Sequence, residues 1–398
     1  MSSDRLSEAC SELVADLNIL LARVVDRALT LPETNNLTLT GGLAGKLLLL
    51  NSLSSYSEIK LEEKLNSQVL DKVFATIPHQ ALDHSLASGI AGIGWALEET
   101  GVNTEEDQCI EIDECLIELL SVDHWQGEYE LLYGLVGVGV YALSRMGQLS
   151  GRKLCSLVVN HLQALAVESE TQMFWRTPTG SVFIRDNVPQ PQIDLGVAHG
   201  NLGVLGLLQK LVEVEFEVEQ TRPMLTKVLN FYSTIPKGHE SYLPSHLGGE
   251  HKSLLGWCYG DLTSALLIIK SAKVLDSEAF YQFGIEVAQA TLARKAEFEG
   301  LRDAALCHGA AGIALIYQRL FQETQIQAFN ERRDYWCRKL LEQAEAEPEL
   351  TGLMAKHKQT AEPFPGEGLL SGYAGIALSI LSIVSPDCIG WDEFLLLS

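Results

Sequence analysis

A glycine-headed motif recurs seven times along the 398 residues, and this repetition restricts the fold more than any other feature of the chain. The copies read TLTGGLAGKLLLL at Gly42, SLASGIAGIGWAL at Gly89, ELLYGLVGVGVYAL at Gly134 and LGVAHGNLGVLGLL at Gly200. They continue as GWCYGDLTSALLI at Gly260, ALCHGAAGIALIY at Gly309 and LLSGYAGIALSIL at Gly372. Successive key glycines stand 47, 45, 66, 60, 49 and 63 residues apart. Six copies carry a second glycine three positions later; the fifth has Thr263 there.

Each copy passes from small residues into about ten mostly apolar ones, a pattern that suits a buried helix or a buried strand. Helix is favoured on three grounds. Glycines at i and i+3 share one helical face, where they permit close backbone approach. Alanine and leucine outnumber β-branched residues in several copies. The segments between the copies are amphipathic at helical spacing: in LSEACSELVADLNILLARVVDRAL, Cys10, Leu13, Val14, Leu17, Leu20, Leu21, Val24 and Val25 form one stripe. Similar stretches lie near 64–76, 109–121, 153–167, 221–234, 279–295 and 332–346, each preceding its glycine copy as an expected partner.

A helix apolar all round must be enclosed, whereas an amphipathic one can face water. Two concentric layers satisfy both sets. An open solenoid would need polar capping repeats, which neither end supplies. The expected fold is therefore all-α, an α/α toroid of seven inner and seven outer helices forming a double-layered barrel, in one domain over residues 1–398; an open helical array is the alternative. In a closed ring the inner N-termini, with their unpaired N–H groups, would gather at one mouth.

At 46% apolar and 20% charged residues the chain can fill a large core. Its net charge of −23 repels phosphate backbones, which argues against nucleic acid. It suits a cationic ligand or basic peptide, although a soluble acidic enzyme is the commoner case. The eight cysteines are dispersed, without the close framework of small secreted domains. MSSDRLSEAC lacks a secretory pattern. Leu369 to Val384 is too short and serine-rich for a transmembrane segment. A cytoplasmic protein with reduced thiols is expected.

Three consecutive copies differ just before the glycine. His199 precedes Gly200, Cys258 and Tyr259 precede Gly260, and Cys307 and His308 precede Gly309, where other copies have Gly41, Ser88, Tyr133 and Ser371. Two thiolates and one imidazole form a Cys2His set for Zn²⁺ with a fourth position open, the pattern of a catalytic zinc site. A thiol entering that position would be deprotonated. Single cysteines are more often small buried hydrophobes, the reading given to Cys10, Cys109, Cys115, Cys155 and Cys337; Cys388 stays undecided. His199 is either a core imidazole bonded to Asp194 or an acid–base group, and Tyr259 is a site residue or packing.

GVAHGNLG, GWCYGDL and CHGAAG, in this order and spacing, resemble the signature of the lanthionine synthetase C-like proteins, the lantipeptide cyclases. The resemblance spans about Gly41 to Leu378. It implies the α/α toroid, one Zn²⁺ held by Cys258, Cys307 and His308, and addition of peptide cysteine thiols to dehydroalanine or dehydrobutyrine to form thioether rings. It further implies His199 as the acid–base residue, with Tyr259 and Glu130 at site positions. The substrate would be a dehydrated precursor peptide, with a dehydratase and an exporter as further partners. Two positions depart from the family pattern: Leu254 stands where many bacterial members have arginine, with Lys252 nearby, and Glu130 where they tend to have aspartate. A zinc-containing thiol- or peptide-binding module without cyclase activity is the second reading. A glycosidase is disfavoured for want of paired acids at the repeat mouths. Glu168 to Ile193 is expected as an irregular or short β excursion, and Glu362 to Gly368 as loop.

Overall fold

The computed structural model describes residues 3–30, 34–62, 64–101, 107–249, 252–295, 301, 303–355, 366, 368–387 and 390–398, leaving aside the side chains of 3–10. Cys10, Cys388 and most of Glu362–Gly368 therefore lie outside the described residues or side chains. The described residues contain fourteen α-helices and one pair of two-residue strands, as an all-α chain requires.

The seven glycine copies head α2 (Leu43–Ser54), α4 (Ile90–Glu99), α6 (Leu135–Ser144), α8 (Asn201–Glu213), α10 (Asp261–Leu275), α12 (Ala310–Thr324) and α14 (Tyr373–Val384). Every key glycine is the residue immediately before its helix. These helices are buried nearly all round; in α10 every residue from Asp261 to Ala272 is buried. The amphipathic segments form α1 (Ser3–Thr30), α3 (Leu65–Thr76), α5 (Ile110–Leu120), α7 (Leu149–Leu165), α9 (Val218–Ser233), α11 (Glu278–Ala290) and α13 (Gln327–Ala346). In α1 the stripe Leu13, Leu17, Leu20, Leu21, Val24 and Val25 is buried.

The chain divides into two compact units. A mid-chain unit comprises Leu82–Ala293 with Asp392–Ser398, and a split unit comprises Met1–Ala81 with Arg294–Trp391. Within the mid-chain unit α4, α6, α8 and α10 pack side by side in chain order. Within the split unit α12 packs on α14, and α14 on α2, so the last copy lies beside the first. The pairing of layers corrects one expectation: outer helices pack on the inner helix before them, not after them. α3 packs on α2, α5 on α4, α7 on α6, α9 on α8, α11 on α10 and α13 on α12. α1 packs on α14.

The glycines are required by steric contact. The chain doubles back before each inner helix, and the N–H of the first helical residue reaches the carbonyl seven positions earlier, as in Asn201 N to Asp194 O (2.9 Å) and Ala310 N to Asp303 O (3.4 Å). A Cβ on Gly200 would sit 2.5 Å from the Asp194 carbonyl oxygen, and one on Gly312 only 1.8 Å from that of Leu306. The fifth loop takes another path, with ψ of +140° at Gly260 where the other six key glycines have negative ψ, and this is the copy that carries Thr263. The excursion after α7 pairs Val167–Glu168 with Met173–Phe174 and then runs irregularly, as expected.

Candidate active site

Neighbouring glycine loops are fastened by backbone hydrogen bonds. In the mid-chain unit Ala87 N donates to Leu132 O (2.9 Å) and Val197 N to Cys258 O (3.0 Å). In the split unit Cys307 N donates to Leu370 O (3.0 Å) and Leu369 N to Thr40 O (2.8 Å). The backbone at both Cys258 and Cys307 is thus held by the adjoining repeat, and both side chains are half-buried.

The third, fourth and fifth loops bring Glu130, His199 and Tyr259 into one cluster. Glu130, 1% exposed, accepts the N–H groups of Leu132 (3.0 Å) and Tyr133 (2.6 Å), which fixes its carboxylate within its own loop. Its Oε2 lies 2.8 Å from His199 Nδ1. A carboxylate that accepts here requires Nδ1 to carry a hydrogen, which leaves Nε2 as the nitrogen facing away from Glu130. The imidazole is 17% exposed. Phe183 stacks on it with centroids 3.9 Å apart, and Tyr133 lies parallel to it at 6.2 Å.

Asp194, expected as the partner of His199 in its core reading, instead serves Tyr259. The Tyr259 hydroxyl donates to Asp194 Oδ2 at 2.7 Å, while Asp194 Oδ1 accepts the Gly196 N–H at 2.8 Å. The fully buried His246 places Nε2 3.3 Å from the same Oδ2 and stacks on the Tyr259 ring at 5.6 Å. Burial, then the Asp194 charge, pushes the phenol far above its ordinary range, so Tyr259 stays a hydrogen-bond donor at all ordinary pH. The Arg185 guanidinium lies over its ring, 5.3 Å from the centroid.

In the split unit Cys307 and His308 are consecutive, and His308 Nε2 lies 3.3 Å from Asp303 Oδ2. Such a carboxylate orients an imidazole for coordination through its other nitrogen. Cys258 belongs to the mid-chain unit, Cys307 and His308 to the split unit.

A second recurring position in the repeats shapes these loops. Six residues before the key glycine stand Asn36, Asp83, Asp194 and Asp303. Each accepts the N–H two residues on, at 2.9, 2.8, 2.8 and 3.0 Å, and so shapes its loop. Acids therefore recur at the repeat mouths as loop formers, not as the paired acids a glycosidase would need. Cys109, Cys155 and Cys337 are buried thiols pushed up to about 12, the inert hydrophobes expected. Cys115 departs from that reading, being exposed on α5. Oxygens of Glu98 and Asp107 and the Cys109 sulfur lie within 4.8 Å of one another. Arg145 already pairs with both acids, at 2.6 and 2.5 Å, and burial keeps Cys109 a thiol, which identifies an ion-pair cluster.

Residues 33–396 match the lanthionine synthetase C-like protein family, and the chain belongs to it. The class read from the motifs, a lanthionine synthetase-type cyclase, is thereby met. Among solved structures the chain is similar to nisin cyclase, at 20% identity and a TM-score of 0.72, covering 96% of this chain and 97% of that one. The likeness shows the fold, the all-α toroid class expected from the repeats. No helix among the described residues is long and apolar enough to cross a membrane.

Proposed function

We propose that the chain is a zinc-dependent lanthipeptide cyclase that adds cysteine thiols of a dehydrated precursor peptide to its dehydroalanine or dehydrobutyrine residues. The supporting observation is the Glu130–His199 pair, aligned with Tyr259 on the loop that also carries Cys258. The donor chemistry fits zinc: two half-buried thiols and an imidazole already oriented by a carboxylate. Cys258, Cys307 and His308 would hold the ion, which when bound supplies a thiolate at neutral pH.

The remaining steps fall to the protein. The thiolate sulfur bonds to the β-carbon, the π pair moves toward the neighbouring carbonyl as an enolate, and a proton returns to the α-carbon. His199 Nε2 takes the thiol proton or delivers the α-carbon proton, with Glu130 stabilising the imidazolium. Tyr259 lies beside it with its single hydroxyl hydrogen committed to Asp194, and so shapes the site wall. We infer a single functional domain over 1–398, a cytoplasmic location, and a dehydratase and an exporter as partners. Leu254, in place of the family arginine, favours a second reading as a zinc-containing binding module without turnover.

The test combines zinc content after exhaustive dialysis with thiol blocking and mass analysis of a dehydrated peptide. The cyclase reading expects one zinc per chain, lost in Cys258→Ala and Cys307→Ala, and consumption of free thiols. Bound zinc with untouched thiols supports the binding module, and absence of zinc refutes both.

A further inference from the structure

The excursion after α7 carries a short arm that bears on the cluster. Its shape is set by Gln192, 1% exposed. The Gln192 Oε1 accepts the Arg185 N–H at 2.9 Å, and its Nε2 donates to the Phe183 carbonyl at 3.1 Å. The Thr177 N–H donates to the Gln192 carbonyl at 2.9 Å. One buried amide thus holds the backbone on both sides of Ile184. The two flanking side chains meet the two functional rings: Phe183 covers His199 and Arg185 lies over Tyr259. The Arg185 guanidinium makes no hydrogen bond or ion pair among the described residues, so its donors are available to a ligand.

We propose that Arg185 binds the carbonyl oxygen on which negative charge develops during thioether formation, while Phe183 positions His199. The role rests on the cyclase reading. As the sulfur–carbon bond forms, the alkene π pair becomes an enolate on the adjoining carbonyl, and a guanidinium held beside Tyr259 offers donors to that oxygen in a site already crowded with carboxylates. The backbone clamp explains how an exposed side chain is presented in one place. It also accounts for the cation missing at Leu254, since the charge arrives from another part of the chain.

The experiment measures thiol consumption by the zinc-loaded full chain with Arg185→Gln, Arg185→Lys and Phe183→Leu. Removing one preorganised donor from an enclosed site costs about 10²–10³ in kcat; for exposed Arg185 the expected loss is about 10–100-fold. That loss should fall on kcat with KM little changed. Arg185→Lys should recover part of it, and added guanidinium should rescue Arg185→Gln. Phe183→Leu should lower kcat and speed modification of His199 by diethyl pyrocarbonate. An Arg185→Gln chain with wild-type kcat, or one unmoved by guanidinium and impaired in KM alone, overturns the Arg185 role while leaving the cyclase reading intact. Unchanged kcat and His199 reactivity in Phe183→Leu overturn its positioning role. An inactive wild type overturns the cyclase reading and the proposal with it.

Discussion

Replacing Glu130 by glutamine tests the core of the site with a change of few atoms. The carboxylate accepts from Leu132 N and His199 Nδ1 through Oε2 and from Tyr133 N through Oε1. A glutamine offers one oxygen, and its amide nitrogen must turn toward a donor on one side. Facing Tyr133, it leaves that N–H unsatisfied; facing the other side, it leaves Leu132 N–H so. At least one buried N–H therefore loses its partner, at about 1–3 kcal/mol, and the surviving bonds lose their charge assistance, about 1 kcal/mol more. A stability loss of about 2–4 kcal/mol follows, measured as a lower urea midpoint by tryptophan fluorescence. The loss of activity has a separate cause, since the imidazole no longer has an anion fixing Nδ1–H. Amide replacement of the buried aspartate in a serine protease triad lowers kcat by about 10⁴. With Phe183 still holding the ring plane of a partly exposed His199, about 10²–10³ is expected here, and Glu130→Asp should retain more activity. Glu130→Gln with wild-type turnover and an unchanged urea midpoint would refute the reasoning.

Arg145→Met should destabilise the mid-chain unit by about 3–5 kcal/mol, because it strands the buried Asp113 beside Glu98 and Asp107; a urea titration reads this, and a loss below about 1 kcal/mol would deny the ion cluster its structural role. Burial first, then the charges of Glu393 and Asp392, raises Glu99 from 4.5 to about 7. The folded chain therefore holds this proton more tightly than the unfolded one, and the associated stability is full below pH 4.5 and lost as pH rises to about 7. Glu99→Gln should flatten that decline and stabilise the chain at pH 8, whereas an unaltered pH–stability curve would contradict it. Gly312→Ala places a methyl against the Leu306 carbonyl and should cost about 1–3 kcal/mol by overpacking, with soluble yield and thermal melting as the readouts.

The inner helices were legible in sequence because each start needs a glycine for a steric reason that recurs in every copy, and repetition exposes such a demand. The outer helices were legible from their stripes, to within a few residues at each end. Which inner helix each one covers was not, since spacing along the chain does not distinguish the helix before from the helix after. His199 stood out by register, but its bond to Glu130 rather than Asp194 depends on the third and fourth loops lying together. Phe183 and Arg185 sit in a stretch without periodicity, ordered by the single amide of Gln192, and no local pattern announces them.

The packing of α1 on α13 and α14 has a consequence for synthesis on the ribosome. The apolar stripe of α1, with Leu17, Leu21 and Val24 wholly buried in the finished chain, emerges over three hundred residues ahead of α14. At about 5–20 residues per second the nascent helix waits roughly 20–70 s for its permanent neighbour. During that interval only the Leu82–Ala293 part of the mid-chain unit has been made, so the stripe of the first helix stays exposed unless transient contacts cover it. Premature termination upstream of α14 would leave this greasy surface uncovered and mark the fragment for degradation.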